Sequence, residues 1–198
     1  MGSLPDKKLS LFVSETIKKV YDINSFVETG TYKGITTSWA SDNFKNVYTI
    51  DISQEYIEIA KNNLAQNNNV SFLHGDTRKE LCKVIDKLSS NALFWLDAHK
   101  GGGYFGEGDD CPIINEILEI QRYEKKYCIL IDDARAFMFP PQPPFDHKKW
   151  PDISTVLRTL DLKEMRYNFI AEDVIVSLPF DKKDEIIEEL HVLYPKFY

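Results

Sequence analysis

The chain is short of everything that would tie it together covalently or seat it in a membrane. Its 198 residues include three cysteines, Cys82, Cys111 and Cys128, an odd number with no Cys-x-x-Cys pair. This excludes a disulfide framework and reads as free thiols in a reducing compartment. Cys128 lies in an apolar run and belongs to the core, while Cys111 follows a glycine loop with no basic neighbour to activate it. No apolar run approaches the ~20 residues needed to cross a bilayer, and the opening Met1-Gly2-Ser3-Leu4-Pro5-Asp6-Lys7-Lys8 lacks a signal-peptide core. The expectation is a cytoplasmic protein. Positive charge is scarce too: 24 Lys and Arg against 31 Asp and Glu give a formal net charge of −7, and no basic block stands out. Such a surface repels phosphates and argues against nucleic acid as the main partner. There are no internal repeats and no linker. The length fits one α/β domain over 1–198, a size at which roughly 70% of the unfolded surface is buried.

Against those absences, residues 26–37, Phe-Val-Glu-Thr-Gly-Thr-Tyr-Lys-Gly-Ile-Thr-Thr, stand out as a buried strand, a glycine turn and a helix start. In the dinucleotide fingerprint a second glycine, two residues after the first, lets the backbone approach a pyrophosphate. Here that position is Tyr32, whose ring blocks close approach, and Glu28 before the turn repels phosphate as well. A ligand that joins a nucleoside to a cationic amino acid without phosphate suits the acid better, and S-adenosylmethionine is such a ligand. Glu28, Gly30, Tyr32 and Gly34 are the first candidate cofactor residues.

The rest of the chain reads as alternating strands and helices. Leu9, Phe12, Val13, Ile17 and Val20 give 7–20 helical spacing, an amphipathic extension over 1–22. Strands are expected at 25–29, 46–51, 70–74, 92–97 and 127–131, with helices from 33, over 53–65, over 77–88 and from Pro112 to Tyr123. The runs at 92–97 and 127–131 are apolar throughout, as in parallel strands covered on both faces. After 134–150, which has no regular period and carries four prolines, come a helix to 160, an antiparallel pair at 165–170 and 174–178, and a final helix over 181–193. The pattern predicts a Rossmann-like, mostly parallel seven-stranded sheet with a C-terminal hairpin and helices on both faces.

Ligands of open α/β sheets bind beyond the carboxyl ends of the strands, and four of the five expected parallel strands end in or near an acid: Asp51, Asp76, Asp97 and Asp132. Asp51 stands about 20 residues beyond Gly30, where nucleoside-binding folds place a ribose carboxylate; with Ile52 it is assigned to the cofactor. Its competing role is capping the helix that starts near Ser53, which Ser53 can do itself. Asp76 is either a partner of the adenine amino group or the N-cap of the next helix, and His74 reads as structural. Neighbouring strands lie about 4.8 Å apart, so Asp97 and the Asp132-Asp133 pair can converge. Packed carboxylates must protonate or share a cation, and a hard divalent ion, Mg²⁺ first, resolves the conflict. The competing reading gives one carboxylate a turn to cap and sends the other to water, because successive residues of a strand point oppositely.

Residues 28–34 resemble motif I of the class I S-adenosylmethionine-dependent methyltransferases. Val-Glu-Thr-Gly at 27–30 with Gly34, Leu-Asp-Ala-His at 96–99 and Ile-Asp-Asp at 131–133 look, more narrowly, like the macrocin-type sugar O-methyltransferases. The similarity spans roughly 25–135, and His99 with the glycine loop, and Ala134 after the acidic pair, depart from that pattern. The resemblance implies an O-methyltransferase with Mg²⁺ held by Asp97, Asp132 and Asp133 at the acceptor hydroxyl, and Asp97 or His99 as base; His99 can equally be a group that orients Asp97. The loops 98–111 and 134–150, with Tyr104, Phe105, Phe139 and Phe145, are expected to close over the acceptor. A sugar diol is the first acceptor and a catechol-like phenol the second. Two alternatives stay open: a metal-independent methyltransferase of a small molecule or protein, and a non-catalytic glycan- or partner-binding module of the same fold.

Overall fold

In a computed structural model the described residues are 3–99, 110–139, 141–143 and 145–195. Seven strands form one sheet in the order β3-β2-β1-β4-β5-β7-β6. The parallel strands are β1 (Ser25–Thr29), β2 (Asn46–Asp51), β3 (Val70–His74), β4 (Ala92–Leu96) and β5 (Tyr127–Ile131). Strands β6 (Arg166–Ala171) and β7 (Val174–Pro179) make the expected antiparallel hairpin, with β7 added beside β5. Between β1 and β4 the strand order reverses, so the crevice above Thr29 and Leu96 is the place where an open sheet of this kind binds ligands.

Alternation along the central strands divides the core between two faces. Val27, Phe94, Leu96, Ile129 and Ile131 pack with α5 (Thr77–Ile85), α6 (Ile113–Ile120) and α8 (Ile153–Leu160). Phe26, Leu93, Trp95, Cys128 and Leu130 pack with the N-terminal segment, α3 (Ile35–Asn43) and α9 (Lys183–Leu193). Every residue of β1, β4 and β5 is buried; in β4 and β5 the unbroken apolar runs require it. A fully buried Phe or Leu stabilises the fold by about 1.5–3 kcal/mol, so Phe26, Phe94 and Leu93 anchor both layers. Helix α4 (Gln54–Asn63) joins β2 to β3.

Three local features differ from expectation. The leading helix is broken: a 3-10 turn at Leu4–Asp6, α1 (Leu9–Phe12), a π segment at Val13–Ile17 and α2 (Lys18–Val20) follow one another, and Leu4, Leu9, Val13 and Ile17 are all fully buried. Residues 134–150 are not wholly irregular, because α7 (Ala134–Met138) starts at once after β5 and a 3-10 turn occupies His147–Lys149. The turn between β6 and β7 is tighter than a three-residue link, since Glu172 and Asp173 both have positive φ, 49° and 69°, the geometry of a two-residue hairpin. Buried Arg166 ties that hairpin to the sheet, donating to the Tyr127 carbonyl at 2.8 Å and the Ser177 hydroxyl at 2.8 Å.

Candidate active site

At the tip of β1 the chain turns through Gly30, with φ 88°, and Tyr32, with φ 47°. Gly30 has two reasons to be glycine. Its φ is left-handed, and a Cβ there would stand 2.3 Å from the Asp97 carbonyl oxygen. The turn after β1 therefore backs directly onto the residue that follows β4, and the two halves of the expected site meet at the point of strand reversal. Gly34, φ 80°, precedes α3, and its missing side chain lets the turn lie against Ala60 and Leu64.

Asp51 at the tip of β2 clasps this turn. Its Oδ2 accepts from the Tyr32 amide at 2.8 Å and its Oδ1 from the Ser53 amide at 2.8 Å. The helix is capped by Ser53, whose hydroxyl accepts from the Tyr56 amide, so Asp51 is released from that duty. A carboxylate offers about four lone-pair directions, so these backbone donors leave room for a ligand hydroxyl. Burial raises the Asp51 pKa, while the Ser53 and Tyr32 amides favour its charged form. Ile52, half-buried, lends its carbonyl to His74 at 3.1 Å. Tyr32 is 48% exposed, and its ring stacks edge-on to Tyr56 with centroids 4.6 Å apart, forming a wall beside the turn.

Glu28 lies beneath this cradle, only 1% exposed. Its Oε2 accepts from the Thr37 hydroxyl at 2.5 Å and from the Thr49 hydroxyl at 2.7 Å, and Thr49 in turn meets Thr31 at 2.6 Å. Burial pushes its pKa up to about 8, the threonine hydroxyls working the other way. It braces the turn from inside. Asp76 is the N-cap of α5, accepting from the Arg78 amide at 3.0 Å, and also pairs with the Arg78 guanidinium, which holds its pKa low.

The acceptor half is built from ions. His99 is buried; its Nε2 lies 3.1 Å from Asp133 Oδ2 and 3.8 Å from Asp97 Oδ1. Burial works to lower the His99 pKa, but the Asp133 hydrogen bond and the charges of Asp97, Asp133 and Asp132 raise it on balance. Its ring packs edge-on to Trp150 and Phe137. The Asp97 side chain keeps 36% of its surface open. Desolvation there, opposed by His99 and reinforced by Asp132 and Asp133, raises its pKa to about 7. A group that shares its proton evenly near neutrality, on the crevice side of a buried histidine, is suited to general base work.

The Asp132-Asp133 pair does not split between two directions. Asp133 adopts φ 55°, which breaks the extended alternation and brings both carboxylates to the same cluster. Each carboxylate is met by a protein cation. Lys7 Nζ stands 3.3 Å from Asp132 Oδ1, and Arg135 Nη2 donates to Asp133 Oδ1 at 2.7 Å, while His99 faces Asp133 Oδ2 and Asp97. Burial raises Asp132 against the pull of Lys7; burial of Asp133 is outweighed by His99 and Arg135, which hold it below the ordinary range.

The expected magnesium site rests on these same carboxylates. Among the described residues no group of three or more His, Cys, Asp or Glu has the arrangement needed to hold a metal ion. Both oxygens of Asp133 already meet His99 and Arg135, and an ammonium faces Asp132. The glycine loop with Tyr104 and Phe105 lies outside the described residues. Phe139 is exposed, and Phe145 packs edge-on to Trp150.

Residues 27–98 match the family model described as a methyltransferase domain. That match takes in 72 of the chain's 198 residues. Its fold is similar to that of the O-methyltransferase TomG from Streptomyces achromogenes in complex with S-adenosylmethionine, with TM-score 0.60 and 15% identity over 90% of this chain and 81% of that one. The O-methyltransferase from Bacillus cereus in complex with S-adenosylhomocysteine gives 0.59 and 13% over 90% and 82%. An rRNA methylase from Streptococcus thermophilus gives 0.54 and 15% over 90% and 98%. No curated protein matches the chain. No helix among the described residues is long and apolar enough to cross a membrane.

Three residues near the candidate site escaped sequence reasoning. Lys7 and Arg135 are ordinary surface types until the fold brings them to Asp132 and Asp133. Glu116 was legible, because Ile113, Glu116, Ile117 and Ile120 share one helix face and an acid among three buried isoleucines marks an exception. It is completely buried, and burial lifts its pKa to about 7, with the Thr77 hydroxyl, the charge of His99 and the Thr29 hydroxyl pulling the other way.

Proposed function

We propose that this protein is an S-adenosylmethionine-dependent O-methyltransferase acting on a hydroxyl of a small molecule, with a sugar as the first acceptor class. The observation that carries this reading is the backing of the Gly30 turn onto Asp97. It sets a cradle for a phosphate-free nucleoside, with Asp51 at its edge, next to a carboxyl that sits between its protonated and ionised forms. Glu28 feels the charges of both Asp51 and Asp97, a setting that favours a cationic ligand. The residues therefore fit the cofactor: Gly30, Tyr32, Gly34, Asp51 and Ile52 line the nucleoside side, Glu28 braces the turn and Asp76 borders the adenine end.

Bound there, S-adenosylmethionine supplies a methyl group already activated by its sulfonium. The carbon–sulfur bond breaks as the acceptor oxygen–carbon bond forms, the sulfur keeps the electron pair, and the hydroxyl proton passes to Asp97. His99, held by Asp133, favours the carboxylate form of Asp97 before it takes that proton; afterwards the thioether and the carboxyl are both neutral. Trp150 and Phe137 fix the His99 ring, and near-attack alignment provides the rest of the acceleration. The test is transfer of a labelled methyl group from S-adenosylmethionine to a panel of sugars and catechols. Labelled sugar supports the reading; saturable cofactor binding without transfer to any acceptor points to the non-catalytic module instead.

A further inference from the structure

The acidic cluster at the tips of β4 and β5 is answered by a lysine from the other end of the chain, and the way that lysine is held suggests a purpose. Lys7 follows the 3-10 turn at Leu4–Asp6. Ser3 and Asp6 close that turn reciprocally, the Ser3 amide and hydroxyl both donating to Asp6 Oδ2 at 3.1 and 2.7 Å. Leu4 and Leu9, on either side of Lys7, are fully buried. The Lys7 ammonium donates to the Glu172 carbonyl at 3.0 Å, and the Leu9 amide donates to Glu172 Oε2 at 3.1 Å. Glu172 is one of the two turn residues between β6 and β7, and Asp173 beside it accepts from the Ala134 and Arg135 amides at the tip of β5. Segment, hairpin and strand tip thus lock together around one ion pair, with the Lys7 side chain 12% exposed and that of Asp132 5% exposed.

We propose that the Lys7 ammonium is the resident counter-cation of the acceptor site, standing beside Asp132 in place of a divalent metal, so that methyl transfer by this chain is independent of added metal. The inference rests on the methyltransferase reading above for its catalytic consequence, though not for the charge argument. Asp97, Asp132 and Asp133 carry at most three negative charges, and Lys7, His99 and Arg135, the last shared with Asp173, stand against them. A divalent ion entering this cluster would meet an ammonium 3.3 Å from the carboxylate it needs. It would also have to displace Arg135 and His99 from Asp133. Hard cations require several free oxygens at short range, and Asp97, 3.8 Å from His99 Nε2, is the most open of the three carboxylates. Lys7 is a positioning residue here: it holds Asp132, and through it the charge around Asp97, without touching substrate.

The experiment is calorimetric and thermal titration of the full chain with Mg²⁺ alone, for wild type, Lys7→Met and Lys7→Arg, beside methyl transfer measured in EDTA. Wild type and Lys7→Arg are expected to show no saturable heat and no change in melting temperature up to millimolar Mg²⁺. Lys7→Met, which leaves Asp132 unpaired, is expected to gain Mg²⁺ binding at least tenfold tighter than wild type and a melting rise of several degrees, as binding to the folded state requires. Saturable Mg²⁺ binding by wild type, or transfer lost in EDTA and restored by Mg²⁺, overturns the proposal. If Lys7→Met fails to fold, the wild-type titration and the EDTA assay still decide. A parallel titration with S-adenosylhomocysteine separates the two readings: its failure sinks the cofactor assignment, while the Mg²⁺ titration judges Lys7 by itself.

Discussion

The two halves of the crevice are built by different means. At the tips of β1 and β2 a carboxylate is held by backbone amides, Tyr32 and Ser53 donating to Asp51, and the supporting acid Glu28 is satisfied by neighbouring threonines. At the tips of β4 and β5 the carboxylates are held by side-chain cations from the N-terminal segment, the loop after β4 and the helix after β5. Amides cannot change their charge, so the first half is a fixed mould for a ligand of constant shape. Ion pairs around Asp97 and His99 can move a proton, so the second half is where chemistry belongs. The contrast teaches that the cofactor end is defined by backbone path and the acceptor end by long-range charge.

The strongest way to break the comparison is Asp97→Asn. It should lower turnover about 10²–10⁴-fold, the range for losing a general base, while S-adenosylhomocysteine affinity stays within about threefold by the two-halves argument. Equal losses in both would mean that the halves are one unit. Next is Gly30→Val, which places a branched side chain at φ 88° and against the Asp97 backbone. Strain and clash together should cost on the order of 3 kcal/mol and abolish cofactor binding, read by melting temperature and calorimetry. Asp51→Ala should weaken S-adenosylhomocysteine binding about 10–100-fold, the worth of hydrogen bonds to a charged group, with labelled transfer falling in parallel at low cofactor concentration.

Glu116 sharpens the comparison from beneath. Its folded pKa is raised to about 7 from an ordinary 4.5, so between those values the native state keeps a proton that the unfolded chain has released. Stability then falls as pH rises through this window, by at most about 1.4 kcal/mol per pH unit. Denaturant melts from pH 4.5 to 8 should show a shallower decline in Glu116→Gln than in wild type; parallel curves would mean that the carboxyl is not buried as described. The smallest effect is expected for Ser53→Ala, about 1 kcal/mol for a lost N-cap, with cofactor affinity unchanged. A large loss of affinity there would return the capping role to Asp51.

Much of this architecture was legible before any coordinates. Strands at 25–29, 46–51, 70–74 and 127–131 fall where apolar runs end in Gly or Asp, and the hairpin and terminal helix follow within a few residues. The β1 turn and Asp51 were readable because both belong to one local βαβ unit of fixed spacing. The acceptor end was readable only in its acids. Arg135 and the helix at Ala134–Met138 depend on the positive φ of Asp133 and on Asp173 from the hairpin, which no local pattern announces. Lys7 depends on the burial of Leu4 against the far face of the sheet. Local periodicity finds strands and their end residues; it does not find which distant cation will face them.

The central claim is that S-adenosylmethionine lies across the tips of β1 and β2 beside Asp97. Titration of wild type, Asp51→Ala and Asp97→Asn with S-adenosylhomocysteine in a calorimeter tests it most directly. The account predicts saturable one-to-one binding by wild type, nearly the same by Asp97→Asn, and a loss of at least tenfold in Asp51→Ala; no binding by wild type, or equal binding by all three, would contradict it.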